Sequence, residues 1–400
     1  MDFDVNRVRR AFPALELGVA HFDGPGGSQV PLAVAQAVAT TMTAGLANRG
    51  SVTDAERRAD EVVREARSAV ADLLGADPGG VVFARSMTQA TFDLARTLSA
   101  GWKPGDEVVV TRLDHDANIR PWVLAAERAG ATVRWVDFDR RTADLTVADV
   151  EAVLGNRTRL VAVTGASNLI GTRPDVAAIA AAARRVGALV HVDGVHLTPH
   201  APVDVRALGA DFFACSPYKF FGPHIGATVA DPDLWEQLEP ARLLPSSNAV
   251  PERFELGTLP YELLAGTTAA VDFIADLAAP SGGVRRERVL ASMAAAEEHE
   301  ERLFRGLLER LDAVEGVTLH GAPRRRTPTA LFSVADRTPT QVHTALAAQG
   351  VNAPGGSFYA IEASRWLGLG DAGAVRVGLA PYTDDDDIDR LVQAVTEVAP

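Results

Sequence analysis

The sequence predicts an α/β protein with a large domain, built on a mostly parallel seven-stranded sheet between helices, and a smaller α+β C-terminal domain. Three observations lead there. Short apolar runs recur at 81–84, 107–111, 133–137, 159–163, 188–192, 211–215 and 225–230. Helix-period patterns separate most of them, at 57–74, 88–99, 118–130 and 174–186. Strands alternating with helices need crossover connections, which make neighbouring strands parallel and cover both faces of the sheet. The third observation is length, since 400 residues exceed what one simple core usually holds.

Taken along the chain, residues 1–20 read as an N-terminal segment packing on the small domain. Residues 21–270 read as the large domain and 271–400 as the small one. Within the large domain, 239–260 contains Pro240, Pro245, Ser246, Ser247 and Pro251, and reads as a long functional loop. Beyond about residue 260 the alternation stops. A helical tract rich in Ala, Glu and Arg covers 284–311, and shorter strand and helix signals follow. The strand Val375-Arg-Val-Gly-Leu and a helix from about 384 close the chain. The acidic run Asp384 to Asp387 reads as the start of that helix, with Thr383 as its expected cap. Arg324 to Arg326 reads as a solvated turn. No internal repeat or low-complexity segment is evident.

Composition narrows the function classes. The chain is 47% hydrophobic and 23% charged, ordinary for a soluble globular protein. A net charge of −13 argues against nucleic acid and anionic membranes as partners. Cys215 is the single cysteine, so an internal disulfide and a cysteine-based zinc cluster are excluded, and no metal is expected. The N-terminus lacks the apolar core of a signal peptide, and no apolar run approaches the roughly 20 residues that span a bilayer. A cytoplasmic location is the expectation.

Ligands of such folds bind at the carboxyl ends of the strands. Lys219 follows the strand 211–215 in Ser216-Pro-Tyr-Lys219, with Gly and Pro immediately after. A partly desolvated lysine has a lowered pKa and suits a Schiff base. Asp193 ends the strand 188–192 and can hold a pyridine nitrogen protonated. A lysine for an aldehyde and an aspartate for a pyridinium are what pyridoxal 5′-phosphate requires. Met87 and Thr88 open a helix whose N–H groups, with the Thr88 hydroxyl, form an anion site for the phosphate. Ser216 and Tyr218 add hydroxyls. His115 follows the strand 107–111 and can stack on the cofactor ring. Asn168 offers an amide to cofactor or substrate, and His196 can press on the ring or meet its phenolic oxygen. Arg376 lies within an apolar strand and needs a partner there. A substrate carboxylate is a good bidentate match.

These segments together resemble the class V aminotransferases, the branch of pyridoxal-phosphate fold-type-I enzymes that contains the cysteine desulfurases. The likeness covers Phe22-Asp-Gly-Pro-Gly-Gly27, Leu113-Asp-His-Asp-Ala-Asn-Ile, Ser167-Asn-Leu-Ile-Gly-Thr172, Val192-Asp-Gly-Val-His196, Ser216-Pro-Tyr-Lys219, Phe254-Glu-Leu-Gly-Thr258 and Val375-Arg-Val377. The resemblance implies an internal aldimine on Lys219, ring stacking by His115, and Asp193 on the pyridine nitrogen. It implies Arg376 on the substrate carboxylate. Asn168, Gly26 and Phe358 are also expected on the substrate side. It further implies a homodimer with shared active sites, in which Gly257 and Thr258 reach the phosphate of the partner's cofactor. The chain departs from the desulfurases in one chemical respect. They carry a nucleophilic cysteine on a loop before the carboxylate-binding arginine, and 351–362 has none. Tyr218 and His196 also replace a His and a Gln typical of desulfurases.

Without a thiolate there is no persulfide relay, so desulfurase activity is not expected. The expected substrate is an amino acid or a cysteine S-conjugate, and Phe358 with Tyr359 suggests an aromatic wall for a bulky side chain. The first expectation is C–S β-elimination with Lys219 as general base. Transamination comes second, with Arg49, Arg120 and Arg242 as candidates for a second carboxylate site. Epimerisation and a catalytically idle scaffold come after.

Overall fold

The structure, a computed structural model, describes residues 3–278 and 282–400. The strands in chain order are β1 (Ala20–His21), β2 (Val81–Ala84), β3 (Glu107–Thr111), β4 (Thr132–Val136), β5 (Thr158–Thr164), β6 (Leu189–Asp193), β7 (Phe212–Cys215) and β8 (Gly226–Val229). They are followed by β9 (Val317–His320), β10 (Thr329–Val334), β11 (Val351–Asn352), β12 (Gly355–Gly356) and β13 (Ala374–Gly378). The seven strands β2 to β8 form one sheet in the order β2-β8-β7-β6-β5-β3-β4. Strand β8 runs antiparallel to both neighbours, and the other pairings are parallel.

This sheet is buried on both faces. In β5, Leu160, Val161, Ala162 and Val163 are all fully buried, which is why the strand reads as a continuous apolar run rather than an alternating one. One face packs through Val161, Val163 and Val192 into a large core with Phe213 and Ile179. The other packs through Val108, Leu160 and Phe212 onto Trp122 and Trp235. The helix Asp54–Leu74 starts on a capping box between Thr53 and Glu56, and ends at Gly75, whose φ of 68° few other residues adopt.

A second, antiparallel sheet has the order β12-β13-β10-β9. Its core joins Phe332 and Val377 to Leu307 of the long helix Arg285–Asp312 and to Leu391 of the helix Asp385–Val398. Strands β1 and β11 pair separately, in parallel. The N-terminal helix Val5–Arg9 is tied to the start of the last helix, because Arg9 meets Asp384 at 3.0 Å and Asp387 at 2.6 Å. Among the described residues no helix is long and apolar enough to cross a membrane.

Two local expectations are corrected. The cap of the last helix is Asp384, whose side chain accepts from Asp387 N–H; the Thr383 hydroxyl is occupied one turn earlier by Ala380 N–H at 3.0 Å. Arg324 is solvated, but Arg326 is not. Its guanidinium lies 4.9 Å over the Phe304 ring and donates to the carbonyls of Ile170 and Thr329 at 3.1 and 2.6 Å. Burial pulls its pKa down to about 10.

Candidate active site

Parallel strands place their carboxyl ends along one edge, and the register fixes what meets there. Thr164 pairs with Asp193 across β5 and β6, and Asp193 pairs with Ala214 of β7. Lys219 follows β7 on the short turn Pro217–Lys219. Met87, Thr88, His115, Asn168, Asp193, His196, Ser216, Tyr218 and Lys219 line one cavity of about 70 Å³. The cavity opens into a chamber of about 650 Å³ that adds Gly26, Phe358, Tyr359 and Arg376. Thr88, His115, Asn168, Tyr218 and Lys219 border both, so the lysine stands at the junction. Gly257 and Thr258 line neither; both are exposed on the loop that follows the Glu252–Phe254 turn.

The charges at this junction are tuned by loss of water. Burial, then Arg376, pull the Lys219 pKa down to about 7, so much of its amine is uncharged at neutral pH. Its Nζ donates to the carbonyl of Pro25, which lines the chamber. Burial also pushes Asp193 up to about 6, against the Val195 N–H that donates to it at 3.0 Å. A cation placed against this carboxylate relieves that penalty. Burial and then the Lys219 and Arg376 charges pull His115 down to about 4, so its imidazole is neutral. Its Nδ1 accepts from Ala117 N–H at 3.0 Å, and its ring stacks on Tyr359 with centroids 5.5 Å apart. His196 is fully enclosed and held neutral, its Nε2 within 2.9 Å of Thr329 and 3.1 Å of Thr327 hydroxyls. Its Nδ1 and the Asn168 Oδ1 are buried without partners, and both residues face the cavity. Unpaired buried atoms of this kind are rare in finished cores and mark places where a ligand completes the bonding.

Arg376 behaves as an anion receptor. It sits in the middle of β13 at 2% exposure, and among the described residues no carboxylate lies within ion-pair distance of it. Burial pulls its pKa down to about 9. One arm donates to the Asn168 carbonyl at 2.9 Å, Nε has no partner, and the Phe358 ring covers the guanidinium at 3.8 Å. Removing that charge removes the best match for a carboxylate. Arg376→Gln is expected to raise KM for amino-acid substrates about 10- to 100-fold with a smaller change in kcat, read from initial rates. Unchanged saturation would refute the carboxylate role.

Some features were not picked out from the sequence. Asp114 is fully buried beneath the cavity, holding the Thr111 hydroxyl and the Asn118 amide, the latter at 2.6 Å. Burial pushes it up to about 8, so it stays protonated and leaves Asp193 as the local negative charge. The signal was its place beside His115. The segment Phe358–Tyr359 is also more than a wall. Both residues take positive φ, 53° and 59°, and the strain is held by two latches. Asn168 Nδ2 donates to the Phe358 carbonyl at 2.9 Å, and Asp116 N–H donates to the Tyr359 carbonyl at 2.8 Å. Of the three arginines considered for a second anion site, Arg120 alone lines the chamber. Arg49 is held by Asp60 and Glu252, each at 2.9 Å, and Arg242 lies exposed on the 239–260 loop.

The aminotransferase class-V sequence profile matches residues 20–391. The chain belongs to the class-V aminotransferases. It is 36% identical, over the full length of both chains, to the uncharacterized protein MT3887 of Mycobacterium tuberculosis. It is 32% identical to the aminotransferase-like protein FGM3 of Gibberella zeae, covering 99% of this chain and 98% of that one. In structure it is similar to the cysteine desulfurase CsdA of Escherichia coli, with a TM-score of 0.87, 27% identity, and 99% and 98% of the two chains covered. This class-V aminotransferase has the fold-type-I architecture and is a pyridoxal-phosphate-dependent enzyme that acts on small amino-acid-like molecules. The cavity fits that cofactor: an uncharged amine for its aldehyde, a destabilised carboxylate for its pyridinium, and unpaired donors and acceptors on its walls.

Proposed function

We propose that this class-V aminotransferase is a C–S β-lyase acting on cysteine S-conjugates, and not a cysteine desulfurase. The observation behind this reading is the pairing of a near-neutral Lys219 at the chamber mouth with the lack of any thiol there. Cys215, the single cysteine, is fully buried in β7, and burial pushes it up to about 12. A thiol in that state is a poor nucleophile. Cys215→Ala is therefore expected to keep full turnover within about twofold, at a stability cost of about 1 kcal/mol. Loss of turnover in the folded variant would reinstate sulfur relay chemistry.

The roles follow from placement. The bound cofactor supplies an electron sink next to the substrate α-carbon. Arg376 binds the substrate α-carboxylate, and the Asn168 amide helps orient it. Phe358 and Tyr359 exclude water from one side. Lys219 Nζ takes the α-proton, the Cβ–S bond breaks, and its electron pair leaves with sulfur as a thiolate that gains a proton. With one water the overall products are thiol, pyruvate and ammonium. Asp193 and Arg376 hold opposite charges at the two ends of the site.

Aminotransfer is the second reading, favoured by the likeness to the aminotransferase-like protein FGM3 of Gibberella zeae. Product stoichiometry separates the two when holoenzyme is mixed with S-substituted cysteines. Thiol, pyruvate and ammonia accumulating equally over many turnovers support the lyase. Keto acid stopping at one equivalent per site, until a second keto acid is added, would overturn it in favour of transamination.

A second copy of the chain completes the assembly in this reading. Leu243, Leu244 and Leu256 are 65%, 98% and 55% exposed on the 239–260 segment that carries Gly257 and Thr258, and a partner subunit would cover these apolar side chains. A single unpaired cysteine supports a reducing, cytoplasmic setting.

A further inference from the structure

The chamber is larger than cysteine needs. Its volume of about 650 Å³ falls in the range of pockets that enclose drug-sized ligands. Besides Tyr218 and Tyr359, five ionisable groups line it: His115, Asp116, Arg120, Lys219 and Arg376. Of these five, Lys219 and Arg376 act in the proposed reaction, and His115 is stacked on Tyr359. The remaining two, Asp116 and Arg120, form a pair of opposite charges, with Nη2 to Oδ1 at 3.1 Å and Nε to Oδ2 at 3.5 Å.

The pair is positioned and not merely present. Asp116 lies on the short turn after His115, and its N–H is bonded to the Tyr359 carbonyl. Arg120 opens the helix Arg120–Ala129 one turn later. The aromatic strap thus links the two charged regions of the chamber, because Phe358 covers Arg376 and Tyr359 holds Asp116. Both side chains line the chamber, and they are 28% and 41% exposed for Asp116 and Arg120.

The sign of the charges selects the ligand. A distal carboxylate alone would gain Arg120 but meet Asp116. A distal ammonium alone would gain Asp116 but meet Arg120. An apolar end would take water from both and return nothing. A group carrying both charges on one carbon satisfies both partners at once. Resting on the reading that the site binds amino acids, we infer that Asp116 and Arg120 form a specificity site for a substrate whose far end is itself an α-amino acid. In lyase terms this is a thioether or disulfide joining two amino-acid units, one gripped by Arg376 and the other by the Asp116–Arg120 pair.

A series of non-eliminable ligands tests this on the holoenzyme. LL-diaminopimelate carries both distal charges, L-α-aminopimelate only the carboxylate, L-lysine only the ammonium, and L-norleucine neither. Dissociation constants come from calorimetry and from the change in the bound cofactor's absorbance. The expected result is that diaminopimelate binds at least about tenfold more tightly than each of the others. That preference should shrink to about threefold or less in both Arg120→Met and Asp116→Asn. Equal affinity for norleucine and diaminopimelate, or tighter binding of either singly charged ligand, would overturn the distal site while leaving the amino-acid reading intact. No response to any of the four ligands would sink both. As a kinetic check, L-cystathionine should be cleaved with higher kcat/KM than S-ethyl-L-cysteine, and Arg120→Met should bring the ratio towards one.

Discussion

Lys219→Ala is expected to lower turnover by at least about 10³-fold and to abolish the covalent attachment of the cofactor. The magnitude follows from the loss of two functions in one side chain. The amine that captures the aldehyde and the base that takes the α-proton are the same Nζ, and no second uncharged amine lines the cavity. His115 does not replace it, since it is stacked on Tyr359 and spends its Nδ1 on Ala117 N–H. The pH dependence gives a separate check. Only the uncharged amine is a nucleophile, and burial sets the Lys219 pKa near 7. Below that pH the amine is charged, so cofactor capture by the cofactor-free wild-type chain should be slow. It should rise as pH increases through about 7 and then level off. A midpoint near the ordinary lysine range, about 10.4, would show that the amine is solvated. Added methylamine should restore part of the Lys219→Ala turnover, increasingly at higher pH, because the chamber of about 650 Å³ admits it. Full activity in the variant without added amine would refute the proposed mechanism.

How much of this could be read in the sequence depends on how local the cause is. The sheet was legible because its strands are buried on both faces. Runs such as Leu160-Val-Ala-Val163 announce themselves without any knowledge of neighbours. The order of those strands, and the antiparallel insertion of β8 between β2 and β7, depend on long-range pairing that no local pattern encodes. Residues at strand ends, Asp193 and Lys219 above all, could be placed because parallel strands bring their carboxyl ends together. The second, antiparallel sheet gave weaker signals. Strands as short as β12, at Gly355–Gly356, have no periodicity to detect. The latches on Phe358 and Tyr359 come from Asn168 and Asp116, 190 and 243 residues away in sequence. Such contacts exist only once the small domain has folded over the sheet edge. Arg326 shows the opposite failure. Three consecutive arginines look solvated, but the third turns inward onto Phe304 because the turn must pair with Gly171 and Thr172.

Asp193→Asn is the second large expectation, and it separates catalysis from stability. In the cofactor-free protein an ionised Asp193 has little compensation: Val195 N–H donates to it, and burial pushes its pKa up to about 6. An asparagine keeps the Oδ1 that accepts from Val195 and removes the charge. Cofactor-free Asp193→Asn should therefore melt no lower than cofactor-free wild type at pH 8, because a buried charge has been neutralised. With cofactor the balance reverses. The carboxylate then faces a pyridinium, and such a buried pair loses about 3–5 kcal/mol when one partner goes. Turnover should fall about 10²- to 10³-fold, and the variant should hold cofactor more weakly than wild type. Protonated Asp114 does not substitute, since its oxygens are already engaged by Thr111 and Asn118. Opposite signs in the two measurements are the signature of a residue built for a ligand and not for the fold. If cofactor-free Asp193→Asn were strongly destabilised, or if turnover survived unchanged, Asp193 would be a structural strand-end residue and the cofactor geometry would need a different anchor.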